Sequence, residues 1–267
     1  MAEWVKQRVF VTVRTYPSPS RRSIEVSCTA GITEDGRWVR IFPLNYRALR
    51  PEQQFHKYQW IDASLSKAPH DQRAESYIVD SESLSVGSGV ILSWEDRYRV
   101  LGPMQVHCLC CLKQERDSKG SPTLGLFKPK EISRFVITSD TSTWSKEELA
   151  KLKQDQPSLF ENKPQTQLEK IPYSFAYHFR CDESACSGHE LTCTDWELLE
   201  TYRQWRRNYG ANWENHFRQK FETEMMQRYD TYFYVGTLHY YPDNWIIVGL
   251  MYPLPGSFRA SPQEQLF

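Results

Sequence analysis

Apolar and polar positions alternate over residues 8–16 (RVFVTVRTY) as on a strand with one buried face, and Pro17 and Pro19 close the run. Two more such runs, 24–33 and 38–42, meet at Glu34-Asp35-Gly36-Arg37, and Asp-Gly at that place predicts a hairpin. Short strands are predicted again at 57–64, 76–79, 90–94 and 98–100, with a turn-rich stretch over 80–89. Residues 104–113 (MQVHCLCCLK) read as a central strand. An unbroken strand would set Cys108 and Cys110 on one face and Cys111 on the other, so these thiols are taken as core. Strands at 123–127 and 132–137 follow. Many short strands, Gly and Pro punctuation and little helical period predict an all-β domain over 1–138, a barrel or a sandwich.

The pattern changes at 139. Residues 139–172 are polar and hold one short predicted helix, 146–153, capped by Ser145. Pro157, Pro164 and Pro172 keep the rest extended, which predicts a connector. An α+β domain is predicted over 173–255, starting with a strand at 173–179. A helix at 196–209 carries an apolar stripe of Leu198, Leu199, Tyr202, Trp205 and Tyr209, with Asp195 as cap and Gly210 as stop. A second helix starts at Asn212 and buries Trp213, Phe217, Phe221 and Met225 at four-residue spacing. Strands at 232–238 and 245–252 can form an antiparallel hairpin, and the interior Gly236 and Gly249 mark a bulge or a close backbone approach. Residues 256–267 read as a loose tail. The expected class is α+β: OB-like barrels or a sandwich, then a smaller domain with two helices, a β-hairpin and a Cys/His site.

Candidate chemistry concentrates at 181–200 (CDESACSGHELTCTDWELLE). Cys181, Cys186, His189 and Cys193 fall within thirteen residues. Thiolates and an imidazole at short spacing are the ligand types of a structural zinc ion, and Ser187-Gly188 supplies a turn. Asp195 is a further ligand candidate and equally an N-terminal helix cap. Two other readings stay open: the cysteines are core residues with His189 satisfied among them, or Cys181 and Cys186 form a disulfide. A hydrolytic metal site of His189, Asp195 and Glu197, with His178 nearby, is the catalytic alternative, because carboxylates and an imidazole can hold an ion that activates water. Asp195 and Glu197 are two apart, so on one helix they diverge.

Lysine and arginine balance aspartate and glutamate at 33 each in 267 residues, so no global field draws the chain to nucleic acid or membrane and any such partner uses a local patch. One such patch is the opening fifty residues, with nine basic against four acidic side chains. Arg14, Arg21, Arg22, Arg37 and Arg40 can hold phosphates there, and Trp38 can stack a base; a packed core with a solvated arginine edge explains the same residues. The opening MAEWVKQR lacks the apolar run of a secretion signal, and no stretch is apolar enough to span a membrane. Seven cysteines without such a signal predict thiols or metal ligands in a reducing, cytoplasmic setting. Motifs for P-loop nucleotide hydrolysis, dinucleotide binding, nucleophile-elbow hydrolysis and His-Glu-x-x-His proteolysis are all missing from the sequence.

Three segments, VSCTAGITEDGRWVRIFPL (26–44), TLGLFKPKEISRF (123–135) and LEKIPYSFAYHFRCDESACSGHELTCTDWE (168–197), resemble an uncharacterised family of bacterial proteins. The first portion is similar to a dual OB-containing domain associated with genome-defence gene neighbourhoods. That resemblance implies two five-stranded barrels in tandem and a role linked to nucleic acid. The expected function is binding of single-stranded DNA or RNA, or an adaptor role, with a structural zinc ion. The alternatives are a metal-dependent nuclease and a protein–protein subunit of a defence complex.

Overall fold

The computed structural model describes residues 3–21, 23–153 and 167–260. The predicted connector around Pro157 and Pro164, Arg22, and the tail from 261 lie outside the described residues. The first element, β1 (Val5–Arg14), is followed by β2 (Ser18–Ser20), β3 (Ile24–Thr33), β4 (Trp38–Leu44), β5 (Trp60–Lys67) and β6 (Ser76–Val86). The predicted Asp35-Gly36 hairpin joins β3 to β4, with Gly36 at φ 76°. Strands β1, β3, β4, β6 and β5 pair in that circular order, antiparallel except between β4 and β6. The result is a closed five-stranded OB-like barrel. Its interior holds Val9 and Val11 of β1 with Val39, Ile41, Ile61 and Leu65.

The outward side of the same strands is also covered. Phe10, Val13, Ala30 and Ile32 pack against Leu124, Tyr234, Val248 and Met251 from the rest of the chain. Strand β1 is therefore buried on both faces from Val9 to Val13, which is why its run is more apolar than a half-buried strand requires.

After the barrel the structure corrects several expectations. Residues 90–100 form no strands: Ser93 caps a helix, α1 (Trp94–Leu101), by accepting from Asp96 N–H. Residues 104–113 do not form a central strand either. Cys108 is the N-cap of α2 (Leu109–Lys119), and Gly120 closes it at φ 75°. The predicted turn-rich stretch 80–89 belongs largely to β6, which pairs with β5 as far as Val86. No second barrel follows among the described residues. Instead β7 (Leu124–Phe127) pairs with β11 (Tyr232–Thr237), which pairs with β12 (Trp245–Met251). Strand β8 (Glu131–Ser139) pairs with β9 (Tyr173–Arg180), which pairs with β10 (His189–Thr192). The stretch 105–138 thus joins later elements and does not extend the barrel.

The helical periods were legible. Helix α3 (Lys146–Leu152) has the Ser145 capping box with Glu148. Helix α4 (Trp196–Tyr209) has the Asp195 cap and buries Leu198, Leu199 and Tyr202. The second helix is α5 (Trp213–Arg218), continued by a π-helical turn over Gln219–Glu224 and a last turn, α6 (Met225–Gln227); Asn212 makes no side-chain cap. Trp213, Phe217, Phe221 and Met225 enter one core with Phe135, Phe175 and Tyr177 of β8 and β9. The tail is ordered as far as the description runs, because Phe258 is buried against Tyr98 and Tyr232. Among the described residues no helix is long and apolar enough to cross a membrane.

Candidate metal centre and charged cleft

Strand β9 delivers Cys181, and the loop after it returns through Cys186 to His189 at the start of β10. Gly188, at φ 103°, allows that return. Helix α2 brings Cys110 to the same place. The ligand atoms of Cys110, Cys181, Cys186 and His189 all lie within 4.8 Å of one another. Cys110 Sγ is 3.1 Å and Cys186 Sγ 3.5 Å from His189 Nε2. Thiolate and imidazole bonds of about 2.3 and 2.0 Å to one tetrahedral ion give donor separations of roughly 3.5 to 3.8 Å, so the set fits a single metal ion. Cys181 N–H donates to Cys186 Sγ at 3.3 Å. Burial pushes the Cys186 thiol up, but the N–H groups of Cys181 and Gly188 outweigh it and leave the thiol below its ordinary value. Burial pushes the Cys110 and Cys181 thiols up. All seven cysteines are free thiols, so the Cys181–Cys186 disulfide is not formed.

Cys193, the sequence candidate for the fourth ligand, is not part of this group. It follows β10, four positions beyond His189, and along an extended chain that is about 13 Å, too far for one ion to reach both. It lies in the core beside Phe175, whose carbonyl accepts its N–H. Cys110 takes its place. The signals for the helix that carries it were in the sequence: Arg116 and Lys119 in a last turn before Gly120, with Glu115 and Lys119 four apart, mark a helix over the stretch that its apolar density suggested was a strand. Beside the first group, Cys108, Cys111 and Glu183 form a second set of donors within 4.8 Å of one another.

The catalytic trio is divided. His189 faces the thiols, while Asp195 and Glu197 face Lys57. His178 lies against Arg134 and Glu190. Asp195 Oδ1 accepts the Leu198 N–H at 2.9 Å and Oδ2 the Leu250 N–H at 3.0 Å. Lys57 Nζ lies 3.8 Å from Asp195 Oδ2 and 3.4 Å from Glu197 Oε2. Burial opposes the Lys57 charge, but Glu197 and Asp195 hold the ammonium above its ordinary value. Lys57 in turn pulls the Glu197 carboxyl down. Burial pushes the Asp195 carboxyl up, against Lys57 and its two N–H donors.

These groups line a cavity of about 400 Å³ between the barrel and the later sheets. Two arginines stand on its wall. The Arg14 guanidinium lies 3.8 Å from the Tyr46 ring centroid and 4.2 Å from that of Trp196. The Arg97 guanidinium lies 3.9 Å from the Tyr58 ring and 4.3 Å from the Trp94 ring. Each donates one bond to a carbonyl, Arg14 to Phe55 and Arg97 to Ile91, and among the described residues neither pairs with an acid. The Arg14 Nε is buried without a partner.

The other nucleic-acid candidates scatter. Arg40 is buried and donates to Ser76 and Thr123 at the seam between barrel and later sheets. Trp38 packs edge-on against Tyr234 there. Arg37 is exposed and pairs with Asp35, and Arg21 is exposed in the turn after β2. The outer face of β3 and β4, where an OB barrel commonly takes its ligand, is thus occupied by the protein's own second half. Of the nucleic-acid candidates among the described residues only Arg14 lines the cavity, beside Asp195 and Glu197 of the catalytic reading, and Lys57 and Arg97 come from elsewhere in the chain.

The fold and site define a mixed α+β protein with one OB-like barrel, a Cys/His group able to hold a metal ion, and a charged cleft at the seam. The chain belongs to the family described as Domain of unknown function (DUF8757), whose model matches residues 105–267, more than half of it. Residues 5–103 match a second model, Domain of unknown function (DUF8758), so the two models meet between α1 and α2. No curated protein matches the sequence.

Proposed function

We propose that the protein binds single-stranded nucleic acid, seating a nucleotide of the strand in the cleft between barrel and second half, and that a zinc ion on Cys110, Cys181, Cys186 and His189 is structural. The observation that carries this is the pair of aromatic-clamped guanidinium groups, Arg14 and Arg97, on the cavity wall without acid partners. Guanidinium groups whose faces are held by rings keep their N–H edges for phosphate oxygens. The volume suits a nucleotide-sized ligand. Glu197, half exposed and kept ionised by Lys57, offers an acceptor for a base amine or a sugar hydroxyl. The resemblance of residues 26–44 to a defence-associated OB domain supports the same reading.

Labelled single-stranded DNA and RNA, titrated over a salt series and then run on a denaturing gel with and without divalent cations, test it. Intact strands bound with a shallow salt slope are expected, since few phosphates are engaged. Arg14→Ala and Arg97→Ala should each weaken binding by more than roughly tenfold, a loss of about 1.4 kcal/mol. Cation-dependent cleavage abolished by Glu197→Gln would instead make the protein a nuclease. Absence of binding at low salt would leave the protein–protein reading.

A further inference from the structure

We infer that the protein holds a second, exchangeable zinc ion on Cys108, Cys111 and Glu183, next to the four-ligand group and with an open coordination position. The inference extends the metal reading of the neighbouring Cys/His group. Each site has its own donors.

The two sets come from the same two elements, sorted by geometry. On α2, Cys108 and Cys111 are three apart and share one side of the helix start, while Cys110 points elsewhere. The loop between β9 and β10 divides likewise: Glu183 joins the first pair, and Cys186 and His189 join Cys110 and Cys181. The four-ligand group completes a tetrahedron by itself and leaves Cys108, Cys111 and Glu183 unused. Their donor atoms converge within 4.8 Å, with Cys108 buried and Cys111 half-buried. Cys108 Sγ accepts the Cys111 N–H at 3.1 Å, which fixes that sulfur at the helix start. The two sulfurs stand 2.7 Å apart, closer than the roughly 3.8 Å that two thiolates keep on one tetrahedral ion, so binding turns the half-buried Cys111 away from Cys108 by about 1 Å, and sulfur donors select a borderline ion such as zinc. Binding releases the two thiol protons to solvent. Three protein ligands leave a fourth place for water or an outside ligand, the arrangement of zinc sites that exchange or react. Glu183 is exposed, so that place opens to solvent.

The test counts zinc in the full chain under a non-chelating reductant. Wild type saturated with zinc should carry two ions, one surrendered promptly to a weak chromogenic chelator and one retained. Glu183→Ala, at an exposed position, should keep the fold and the retained ion and weaken the labile one by more than roughly tenfold. Cys108→Ser with Cys111→Ser should abolish the labile ion. No labile ion at saturation would overturn the inference, as would a labile ion indifferent to both variants, or an intact mass showing a Cys108–Cys111 disulfide under these conditions. A labile ion lost in Glu183→Ala beside no retained ion would sink the four-ligand reading and leave this one standing.

Discussion

Lys57 is the residue on which the cleft turns. Its ammonium is 10 % exposed and sits between Asp195, 4 % exposed, and Glu197, 54 % exposed. Breaking such a pair costs by how completely the remaining charge is stranded. Asp195→Ala removes the α4 cap, the acceptor of Leu250 N–H and the buried half of the Lys57 pair, and should destabilise the chain by about 3 kcal/mol or more in urea unfolding. Glu197→Gln, at a half-exposed position, should cost less than about 1 kcal/mol in the same measurement.

A second ion pair sets the response to acid. Arg73 Nη2 lies 2.6 Å from Asp71 Oδ2, with both side chains nearly buried, and Arg73 also donates to the Thr237 carbonyl, tying the β5–β6 loop to the end of β11. Burial raises the Asp71 carboxyl, yet bonds from Arg73 and Ser76 prevail and hold it well below the ordinary carboxylate range. A carboxyl depressed in the folded state contributes stability that is complete above about pH 4, where the unfolded group is ionised, and that is lost as pH falls toward the folded value. Urea midpoints measured from pH 5 down to pH 2.5 should fall in wild type. Asp71→Asn should start lower at neutral pH and fall less steeply.

At the scale of elements, what could be read depended on whether local spacing decided the structure. Helix α4 was legible to its ends because stripe, cap and stop agree over fourteen residues. Helix α2 was misread because Cys108-Leu109-Cys110-Cys111 has the apolar density of a strand, and what makes it helical is its polar half and Gly120. That helix packs on β7 where Gly125 leaves room: a Cβ there would stand 2.6 Å from Leu112 Cδ2. A stricter contact exists inside the barrel. A Cβ on Gly31 would meet the Phe10 carbonyl oxygen at 2.5 Å, and backbone cannot swing aside as a leucine tip can. Gly31→Ala should therefore destabilise the β1–β3 pairing by about 1 to 3 kcal/mol in thermal or urea unfolding, more than Gly125→Ala.

At the scale of the molecule, the Cys/His group joins α2 to the β9–β10 return, through Cys110 and Cys181, which are 71 residues apart in sequence. A metal held there restrains both. Chelation should raise amide hydrogen exchange across residues 105–119 and 181–193 while the barrel strands β1, β3 and β5 keep their protection, measured on the full chain with and without a strong chelator. Equal loss of protection in the barrel would mean that the ion supports the whole fold.

The sequence by itself determined the strand-rich first half with its Asp35-Gly36 hairpin, the helices at 146 and 196, the closing β11–β12 pair, and three of the four members of the Cys/His group, around 181–189, since each rests on contacts between near neighbours. Only the tertiary structure decided the fourth member of the Cys/His group, the closure of one barrel in place of two, and the cleft. Cys110 reaches its partners through helix packing. The barrel's outer face is taken by β7, β11 and β12, and Arg14, Lys57, Arg97 and Glu197 meet only when that face is covered. Such meetings depend on which surfaces bury one another, and residue spacing carries no record of that.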